Sequence, residues 1–580
     1  MRKRILEKVE TIEIMMDSLE DLVEEFRDLE TPEERIQYLI ELGGSMPELS
    51  SEYCTEEYRV VGCQSMVWFV PHWDGTHFTF EASSDAPMVR GLAAILVSAF
   101  SGKTPQAILE FPIETIFQDL HLKSFLSPLR SNGLNSMIKR VREIALEKML
   151  GGSARPSTAA VPSSQAKERK PAIAEQVDSL RGDFPILARK SDSGVPVAYL
   201  DNAASSQRPA SVIDAISIVY REHYSNVHRS GHEWAGTTTE KMEASREAVR
   251  RYIDAPGVEE VIFTSGTTAS INLIAQSWGR SRLSEGDEIL LSEMEHHANI
   301  VPWLQLASQC GVKIRWIPID EDFHIDMDAY KALLSPKVKL VSITAVSNVL
   351  GTVNPVQQIV REAKQFGAKV MVDAAQAVPH GPLSVQGWGA DWGVFSGHKM
   401  LASSGVGVLW GRREILESMP AWQGGGNMIK LVTKEGFTEA GLPHKFEAGT
   451  PAIAEIVSFK PAIEYLEKLG GDALREHECI LADRAIKGLK EIPGVDIYSP
   501  SRGERAGIVS FNLAKVHGDS VARFLDSRGI AIRVGHHCAM PLHQRLGIAV
   551  SCRASFYLYN TVEEVDRLVS AVHDAASLFR

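Results

Sequence analysis

Two residues that each follow a short apolar run could together perform chemistry on an amine. Lys399 stands shortly after the apolar residues 394–395, and Asp373 directly follows the apolar residues 370–372. Burial lowers the pKa of a lysine, so that it can serve as nucleophile and base. A carboxylate at the end of such an apolar run needs a positive or hydrogen-bonding partner. Taken singly, an exposed loop lysine and an aspartate that caps a helix are the more ordinary interpretations.

A turn rich in glycine and threonine adds an anion-binding element. Residues 264–268 read Thr-Ser-Gly-Thr-Thr and separate the apolar run 261–263 from a helix-like stretch. A turn at a helix N-terminus binds anions through main-chain N–H groups, although many such turns bind nothing. Together with the lysine and the aspartate, it matches what a pyridoxal phosphate enzyme requires. The lysine would bond the cofactor, the aspartate would hold its ring N–H, the turn would anchor its phosphate, and the run 295–299, Glu-His-His-Ala-Asn, supplies a flat ring that could stack on the pyridine.

Two of the six cysteines stand where a thiol could react. Cys538 lies in the run 533–539 with an arginine and two histidines, a positive and flexible setting that favours the reactive thiolate. Cys552 is its competitor, but its place directly before Arg553 predicts a packed position. Cys63 lies in a glycine-flanked loop between two predicted strands, and on this pattern alone a reactive and an inert thiol both remain open.

Composition excludes several classes of protein. The chain has 580 residues, 44% hydrophobic and 23% charged, so it is neither disordered nor fibrous. Its net charge of −13 argues against nucleic-acid binding as a main function. No apolar run reaches the length of about 18 residues that predicts a membrane-spanning helix, and the basic start lacks the apolar run of a secretory signal. The cysteines show no zinc-ligand spacing, which predicts no metal site and a location in a reducing cytoplasm.

The chain divides at a segment dominated by Ala, Ser, Pro and Gly. Residues 151–175 contain no aromatic side chain and can bury little, so we expect a flexible linker there. It separates a first domain, residues 1–150, from a second, residues 176–580.

The first domain combines helical and strand-like patterns. Thr31 and Glu34 form a capping box that predicts a helix ending at Gly43 and Gly44. Short strands are predicted at 58–61, 66–70 and 77–80, the last two joined by a turn at Asp74 and Gly75, and helices at 88–100 and 136–150. These elements predict a small α+β domain.

The second domain alternates strands and helices. Strand-like runs are predicted at 261–263, 289–291, 340–345, 370–372 and 394–395. This alternation predicts an α/β fold with a mostly parallel sheet covered by helices on both faces, and the residues from about 458 onward form a smaller α/β subdomain. The candidate lysine, aspartate and turn then lie just beyond strand ends, where such sheets bind ligands.

From about residue 183 to the end, the chain resembles the SufS-type (group II) cysteine desulfurases of the fold-type I aminotransferase superfamily. The resemblance covers nearly the whole domain and rests on residues 199–204, 225–229, 294–302, 348–351, 373–376, 396–399, 447–451, 533–539, 553–555 and 559–561. One departure is Ala-Ser-Ser-Gly at 402–405, where the family usually has a proline before its glycine. We expect it to change only a loop.

The resemblance implies conversion of L-cysteine to L-alanine with formation of a persulfide on Cys538. Lys399 would carry pyridoxal 5'-phosphate and take the Cα proton, while Asp373 keeps the ring nitrogen protonated. Arg553 would hold the substrate carboxylate through two parallel hydrogen bonds, and Asn348 would help orient the substrate. The other implied cofactor residues are Gln376, His296, Thr267, Thr268, Ser396, His398 and, reaching across a homodimer, Thr450. No catalytic role is assigned to His536 or His537, and Cys310 and Cys479 are expected to be inert.

Residues 10–150 resemble SufE, the sulfur acceptor of SufS-type enzymes. The matching residues are 61–68, 126–134 and 137–138. The acceptor cysteine of that family falls on Cys63, whereas Cys54 matches no functional position. A short flexible tether gives an effective concentration of up to about millimolar, so we expect sulfur to pass from Cys538 to Cys63 and then to a SufBCD-like iron–sulfur scaffold.

Three other functions compete with this hypothesis. A selenocysteine lyase of the same fold would not need Cys538. The N-terminal domain could be a docking adaptor that carries no sulfur. A transaminase is a third alternative, but it would leave the reactive cysteine without a purpose.

Overall fold

The computed structural model describes residues 19–29, 31–55, 58–60, 66–113, 116–117, 120, 128–149, 173–191, 194–228, 231–501 and 503–579. These residues fold as two compact units, one in the N-terminal and one in the C-terminal part of the chain. Residues 61–65, which include Cys63, lie outside the described residues, as do residues 151–172 of the predicted linker.

The first unit is a small α+β fold. Its elements are α1 (Leu19–Arg27), α2 (Pro32–Ser45), β1 (Val67–Trp73), β2 (Phe78–Ser84), α3 (Pro87–Phe100), α4 (Pro105–Glu110) and α5 (Pro128–Met149). Helix α3 is apolar on nearly every side because it packs between α2 and the β1–β2 hairpin. The predicted hairpin is confirmed, and the Asp74 carboxylate accepts hydrogen bonds from the main chain of its turn.

Two local predictions in this unit need correction. The capping box at Thr31 and Glu34 is present, but α2 continues through Gly43 and Gly44 to Ser45. A Cβ on Gly43 would lie 2.7 Å from the main-chain nitrogen of Gly91, so this glycine allows two helices to approach and does not end one. The predicted strand near residue 58 is reduced, within the described residues, to an isolated bridge between Arg59 and Trp68.

The second unit is built on a large sheet. Its elements up to the central sheet's last strand are α6 (Ile173–Gly182), β3 (Ala198–Tyr199), α7 (Ala210–Ile218), α8 (Glu233–Tyr252), β4 (Val261–Thr264), α9 (Thr267–Ile274), α10 (Arg280–Arg282), β5 (Glu288–Ser292), α11 (Val301–Cys310), β6 (Lys313–Ile317), α12 (Met327–Leu333), β7 (Val338–Thr344), α13 (Val356–Gln365), β8 (Lys369–Asp373), α14 (Val385–Trp388), β9 (Trp392–Ser396) and β10 (Gly407–Gly411). The sheet has the strand order β4-β10-β9-β8-β7-β5-β6. Strand β10 is antiparallel to both of its neighbours, and the remaining pairings are parallel.

The sheet is buried on both faces, as predicted. Val341 and Val370 enter one hydrophobic core, whereas Leu340 and Met371 enter another on the opposite face. This alternation follows from the two-residue period of a strand. Every strand predicted for this sheet is present, but β6 and β10 were not predicted.

A smaller α/β subdomain follows. The segment that connects it to the central sheet contains α15 (Arg413–Ser418), β11 (Ile429–Val432), β12 (Phe437–Glu439) and α16 (Ile453–Val457). The subdomain itself contains α17 (Phe459–Leu469), α18 (Gly471–Lys490), β13 (Val495–Tyr498), β14 (Ile508–Leu513), α19 (Gly518–Asp526), β15 (Ile530–Ala531), β16 (Arg533–Gly535), α20 (Met540–Arg545), β17 (Ser551–Ser555) and α21 (Val562–Leu578). Strands β13, β14, β17 and β16 form an antiparallel sheet in that order. The parallel pairing of β15 with β3 brings the segment after β3 close to β17.

The end of the predicted linker is also shifted. Helix α6 begins at Ile173, two residues before the predicted linker boundary, because the Ile173 side chain is buried in the core of the second unit. Within the described part of the chain, no helix is both long and apolar enough to cross a membrane.

Candidate active site

A cleft of about 190 Å³ opens beyond the ends of strands β7, β8 and β9. Parallel sheets place ligands at this edge because the loops after neighbouring strands meet there. The predicted site residues that line this cleft are Thr267, Thr268, His296, Asn348, Asp373, Gln376, Ser396, His398, Lys399, Cys538 and Arg553. Residues almost 300 positions apart in the chain therefore meet in one space.

Lys399 and Asp373 provide the charged centre of the cleft. Asp373 is 4% exposed at the end of β8, where one carboxylate oxygen accepts the Ala375 N–H at 2.9 Å. Burial raises the pKa of Asp373. Burial also lowers the pKa of Lys399 to about 8, although the Asp373 charge opposes that shift. A large fraction of the lysine is therefore the neutral, nucleophilic amine near pH 8.

The turn before α9 forms a polar end of the cleft. The Thr267 N–H donates to Ser396 Oγ at 2.8 Å, and the two hydroxyl oxygens lie 2.7 Å apart. Gly266 has a φ of 145°, which few other residues adopt. A Cβ on Gly407 would lie 2.5 Å from the Gly266 Cα, so glycine is needed for strand β10 to pass this close to the turn. Hydroxyls and a helix N-terminus thus face one end of the cleft, as an anion requires.

His296 and His398 are held as neutral rings. Burial, assisted by the positive charge of Lys399, lowers the pKa of His296 to about 3 and that of His398 to about 4. His296 Nδ1 accepts the Ala298 N–H at 3.0 Å, which fixes the ring orientation. The preceding residue, Glu295, is buried and accepts hydrogen bonds from Asn299 and from the Thr344 main chain. This network anchors the segment that carries His296 to strand β7.

Arg553 is almost completely buried and already oriented. It donates to the Asn348 carbonyl at 2.9 Å and to Asp201 Oδ1 at 3.0 Å. Its Nε–H is buried without a protein partner in the structure, and the residue lines the cleft. A guanidinium held on one side with a free donor suits a ligand carboxylate.

Asn348 and Gln376 are also held by main-chain oxygens. Asn348 donates through Nδ2 to the His537 carbonyl at 2.8 Å, so this amide contacts the cysteine-bearing loop. Gln376 donates through Nε2 to the Ala203 carbonyl at 2.7 Å. Gln376 lines the cleft as well.

Cys538 lines this cleft. It lies on the loop between β16 and α20, is partly exposed, and follows His537 in a pair of residues with φ of 48° and 56°. Its main-chain N–H donates to His536 Nδ1 at 3.1 Å. The thiol therefore shares one enclosed space with Lys399 and Arg553.

The other described cysteines lie in different environments. Cys552 is fully buried in strand β17, and burial raises the pKa of its thiol to about 12. Cys479 lies in α18 with its pKa raised by burial, and Cys310 is the last residue of α11. Cys54 is exposed and contacts the Ser50 carbonyl. The packed positions predicted for Cys552 and the helical positions predicted for Cys310 and Cys479 are confirmed.

Thr450 does not line the cleft of its own chain. It is exposed and borders a separate pocket of about 310 Å³ with Phe263, Gly405 and Glu447. Glu447 accepts the Phe263 N–H at 2.7 Å and is paired with the buried Arg246. The loop that bears Thr450 is thus fixed to the strand that precedes the Thr267 turn.

Three residues, two of them lining the cleft and one beside it, were not assigned a role from the sequence. Arg533 lines the cleft and lies 3.7 Å from Asp201, which also binds Arg553. His537 is buried with Nε2 against the Ser551 carbonyl at 2.9 Å and Nδ1 unpartnered. Arg533 and His537 stand beside Cys538 in the cysteine motif, and Asp201 stands in the Tyr-Leu-Asp-Asn motif, so the motifs mark these residues but do not give their contacts.

The residues of the cleft fit pyridoxal 5'-phosphate. Asp373 can pair with a protonated ring nitrogen, and Lys399 presents an amine to an aldehyde. The hydroxyls of Thr267 and Ser396 at the N-terminus of α9 suit the phosphate. The neutral His296 ring suits stacking on an electron-poor ring, so the chemistry of the donor set matches each part of the cofactor.

Family models match both parts of the chain. The model described as aminotransferase class-V matches residues 198–568, and the SufE model, described as an Fe-S metabolism associated domain, matches residues 20–145.

Individual proteins match the second unit. A protein of Dickeya dadantii named cysteine desulfurase is 47% identical over 398 residues, which cover 68% of this chain and 96% of that protein. The crystal structure of the cysteine desulfurase CsdA (S-sulfonic acid) from Escherichia coli is 38% identical with a TM-score of 0.65, covering 69% of this chain and 98% of that one. The apo cysteine desulfurase from Thermococcus onnurineus is 34% identical with a TM-score of 0.66, covering 71% of this chain and 100% of that one.

Proposed function

Because the chain belongs to the aminotransferase class-V family, as a pyridoxal phosphate-dependent cysteine desulfurase preceded by a SufE domain, we propose that it passes sulfur from L-cysteine through Cys538 to Cys63. The observation that supports this most is the presence of Cys538 in the same cleft as Lys399 and Arg553.

Substrate binding rests on Arg553. Its position is fixed by Asp201 and by the Asn348 carbonyl, so little conformational freedom is lost when a carboxylate arrives. Terminal N–H groups of its guanidinium would donate to the two carboxylate oxygens of L-cysteine. This fixes the amino acid with its amino group toward Lys399 and its sulfur toward Cys538.

Lys399 would move the proton at Cα. Pyridoxal phosphate, held by Asp373, Gln376, His296, Thr267, Thr268, Ser396 and His398, supplies the electron-withdrawing ring that makes this proton acidic. The lowered pKa of Lys399, about 8, provides a neutral amine that accepts the proton. The same amine can return a proton to carbon when alanine forms.

Cys538 would accept the sulfur. Its thiolate attacks the sulfur atom of bound L-cysteine, an S–S bond forms, and the Cβ–S bond breaks with its electron pair leaving on carbon. The products are a Cys538 persulfide and, after protonation of carbon, L-alanine. Sulfur is oxidised and carbon reduced by the same pair of electrons, so no external oxidant is needed.

Cys63 would receive the sulfur next. Its thiolate attacks the outer sulfur of the Cys538 persulfide, which regenerates the Cys538 thiol and leaves a Cys63 persulfide. The match of residues 20–145 to the SufE model and the position of Cys63 in the acceptor motif support this step. Joining donor and acceptor in one chain replaces a bimolecular encounter by an effective concentration of up to about millimolar.

A homodimer would complete the phosphate site. Thr450 is exposed and lies outside its own cleft, on a loop fixed by Glu447 and Arg246. A second copy could use this Thr450 at its phosphate end. We propose iron–sulfur cluster assembly in the cytoplasm, through a SufBCD-like scaffold, as the destination of the sulfur, since the SufE model is an Fe-S metabolism associated domain.

Replacing Cys63 tests the transfer step. In buffer with little reductant, the wild-type chain should form alanine repeatedly, because Cys63 empties Cys538. A Cys63→Ala chain should stop after about one alanine per site. Unchanged repeated turnover in that variant would leave the N-terminal domain as a docking adaptor.

A further inference from the structure

The backbone at Cys538 adopts a conformation that requires support. His537 and Cys538 both have positive φ, 48° and 56°, in the left-handed region that residues other than glycine seldom occupy. Two consecutive residues of this kind persist only when surrounding contacts impose the conformation. The contacts that impose it therefore decide where the Cys538 thiol lies.

His297 contacts this loop on both sides of Cys538. Its main-chain N–H donates to the Cys538 carbonyl at 2.6 Å. Its ring Nε2 accepts the N–H of Met540 at 3.1 Å. One residue thus holds the carbonyl of the nucleophilic cysteine and the N–H two positions further along.

The two bonds satisfy groups that helix geometry leaves unpaired. His297 begins a short helical turn, residues His297–Asn299, and Met540 begins helix α20. First-turn N–H groups have no partner within their own helix. Here one of them binds the Cys538 loop directly, and the other is bound by the His297 side chain.

The ring of His297 must be neutral to act in this way, since Nε2 needs a free lone pair to accept the hydrogen bond from the Met540 N–H. Burial lowers the pKa of His297, and the neighbouring His536, with its ring centroid 5.3 Å away, adds to this effect. His536 in turn accepts the Cys538 N–H through Nδ1 at 3.1 Å. Two imidazoles therefore bind the N–H groups of Cys538 and Met540, and the Cys538 carbonyl is bound by the His297 main chain.

We propose that His297 is a positioning residue for Cys538, whose Nε2 holds the loop so that the thiol points at the substrate sulfur. His297 itself does not line the cleft, whereas its neighbour His296 does. It therefore acts through Cys538 and not on the cofactor or the substrate. This inference rests on the proposed role of Cys538 in forming the persulfide.

Two substitutions of His297, by Gln and by Asn, form a matched pair because their amide groups differ in distance from the main chain. In His297→Gln the amide oxygen lies near the position of Nε2 and can still accept the Met540 N–H. In His297→Asn the amide is shorter and ends near the position of Nδ1, so this bond is lost while a polar side chain is kept. The same two substitutions at the exposed His573 serve as controls.

Three measurements are made on the full chain loaded with pyridoxal phosphate. The first is the single-turnover rate of persulfide formation on Cys538, followed by mass spectrometry. The second is the rate at which iodoacetamide alkylates Cys538 without substrate. The third is the cofactor content and its absorbance change on addition of L-cysteine, which reports folding and substrate binding separately from sulfur transfer.

The proposal predicts opposite changes in the first two measurements. In His297→Asn, persulfide formation should fall by about 10- to 100-fold, since a misplacement of about 1 Å can cost that much. Alkylation should become faster because the loop is released, and cofactor content and substrate binding should be retained. His297→Gln should behave as the wild type in all three.

Other results would overturn the proposal. An unchanged persulfide rate in His297→Asn would show that Cys538 is positioned without this bond. Equal losses in the Asn and Gln variants would show that an acceptor at Nε2 is not what matters. If Cys538 is alkylated normally in the wild type but takes up no sulfur, the proposed role of Cys538 fails, which is distinguishable from failure of the His297 proposal.

Discussion

Arg553 donates a hydrogen bond to Asp201 at 3.0 Å, although 352 positions separate the two residues in the chain. The bond joins strand β17 to the segment that follows β3, and it holds the guanidinium at the cleft before any substrate is present. Arg533 lies 3.7 Å from the other Asp201 oxygen. One carboxylate thus organises two positive charges at the end of the cleft where we place the carboxylate of L-cysteine.

Replacing this guanidinium by an amine should weaken substrate binding. Arg553→Lys keeps the charge but loses the fork of parallel donors and its bond to the Asn348 carbonyl. Loss of one charged hydrogen bond costs about 2 kcal/mol, so KM for L-cysteine should rise roughly 30-fold. Steady-state alanine formation measures this change. Arg484→Lys, at an exposed ion pair, is the control, and an unchanged KM in Arg553→Lys would contradict this role.

The pH dependence of proton transfer should follow Lys399. Since its pKa is about 8, the rate of Cα proton removal should fall as the pH decreases below that value. The positive charge of Arg533 helps to keep the pKa of Lys399 low. Arg533→Gln removes this charge and should raise that pKa, so the fall in rate should occur at higher pH. Single-turnover measurements between pH 6 and 10 with α-deuterated L-cysteine, which isolate the removal of the Cα proton, would detect this shift in the pH dependence. If the fall in rate moved to lower pH in Arg533→Gln, a group other than Lys399 would control the removal of the Cα proton.

Cys538 and Cys552 should respond differently to the same substitution. Cys538→Ala should abolish persulfide formation, whereas Cys552→Ala should leave it intact. Cys552 is fully buried with a pKa raised to about 12, so it holds almost no thiolate near neutral pH. Removing its sulfur should instead lower the free energy of unfolding by about 1 kcal/mol. Loss of persulfide formation in a folded Cys552→Ala chain would contradict the assignment.

Complementation between a chain without the reactive amine and a chain with a weakened phosphate site tests whether Thr450 acts across a dimer. Lys399→Ala lacks the reactive amine, and Thr450→Ala lacks the exposed hydroxyl. If Thr450 serves the partner's cleft, a mixed dimer contains one site with both residues intact, so mixing the refolded chains should restore alanine formation. Thr450→Ala alone should hold the cofactor less tightly. Mixed dimers without regained activity would show that Thr450 does not act in this way.

Local patterns were enough to predict the central residues of the cleft. Lys399 and Asp373 follow strands whose apolar runs are continuous, and the position beyond a strand end follows directly from the sheet. Strand β10 was missed although it is as long as β8 and β9, because it begins and ends with glycine, a residue that is depleted in strands. The capping box at Thr31 was predictable because all of its partners lie within four residues.

Contacts between distant segments were not predictable in the same way. Gly43 looks like the end of a helix in sequence, and only the approach of Gly91 explains why the helix continues. The position of His537 depends on a left-handed backbone and on Ser551, and the role of Asp201 depends on two arginines more than 300 positions away. Periodicity and local motifs contain no information about such pairs.

The proposed function depends on the movement of sulfur from L-cysteine to Cys538 and then to Cys63. The most direct test mixes the pyridoxal phosphate-loaded chain with limiting L-cysteine, quenches by rapid alkylation and identifies peptides by mass spectrometry. The account predicts one extra sulfur on Cys538 at early times and on Cys63 later. Alanine formation with no added sulfur on either cysteine would contradict it.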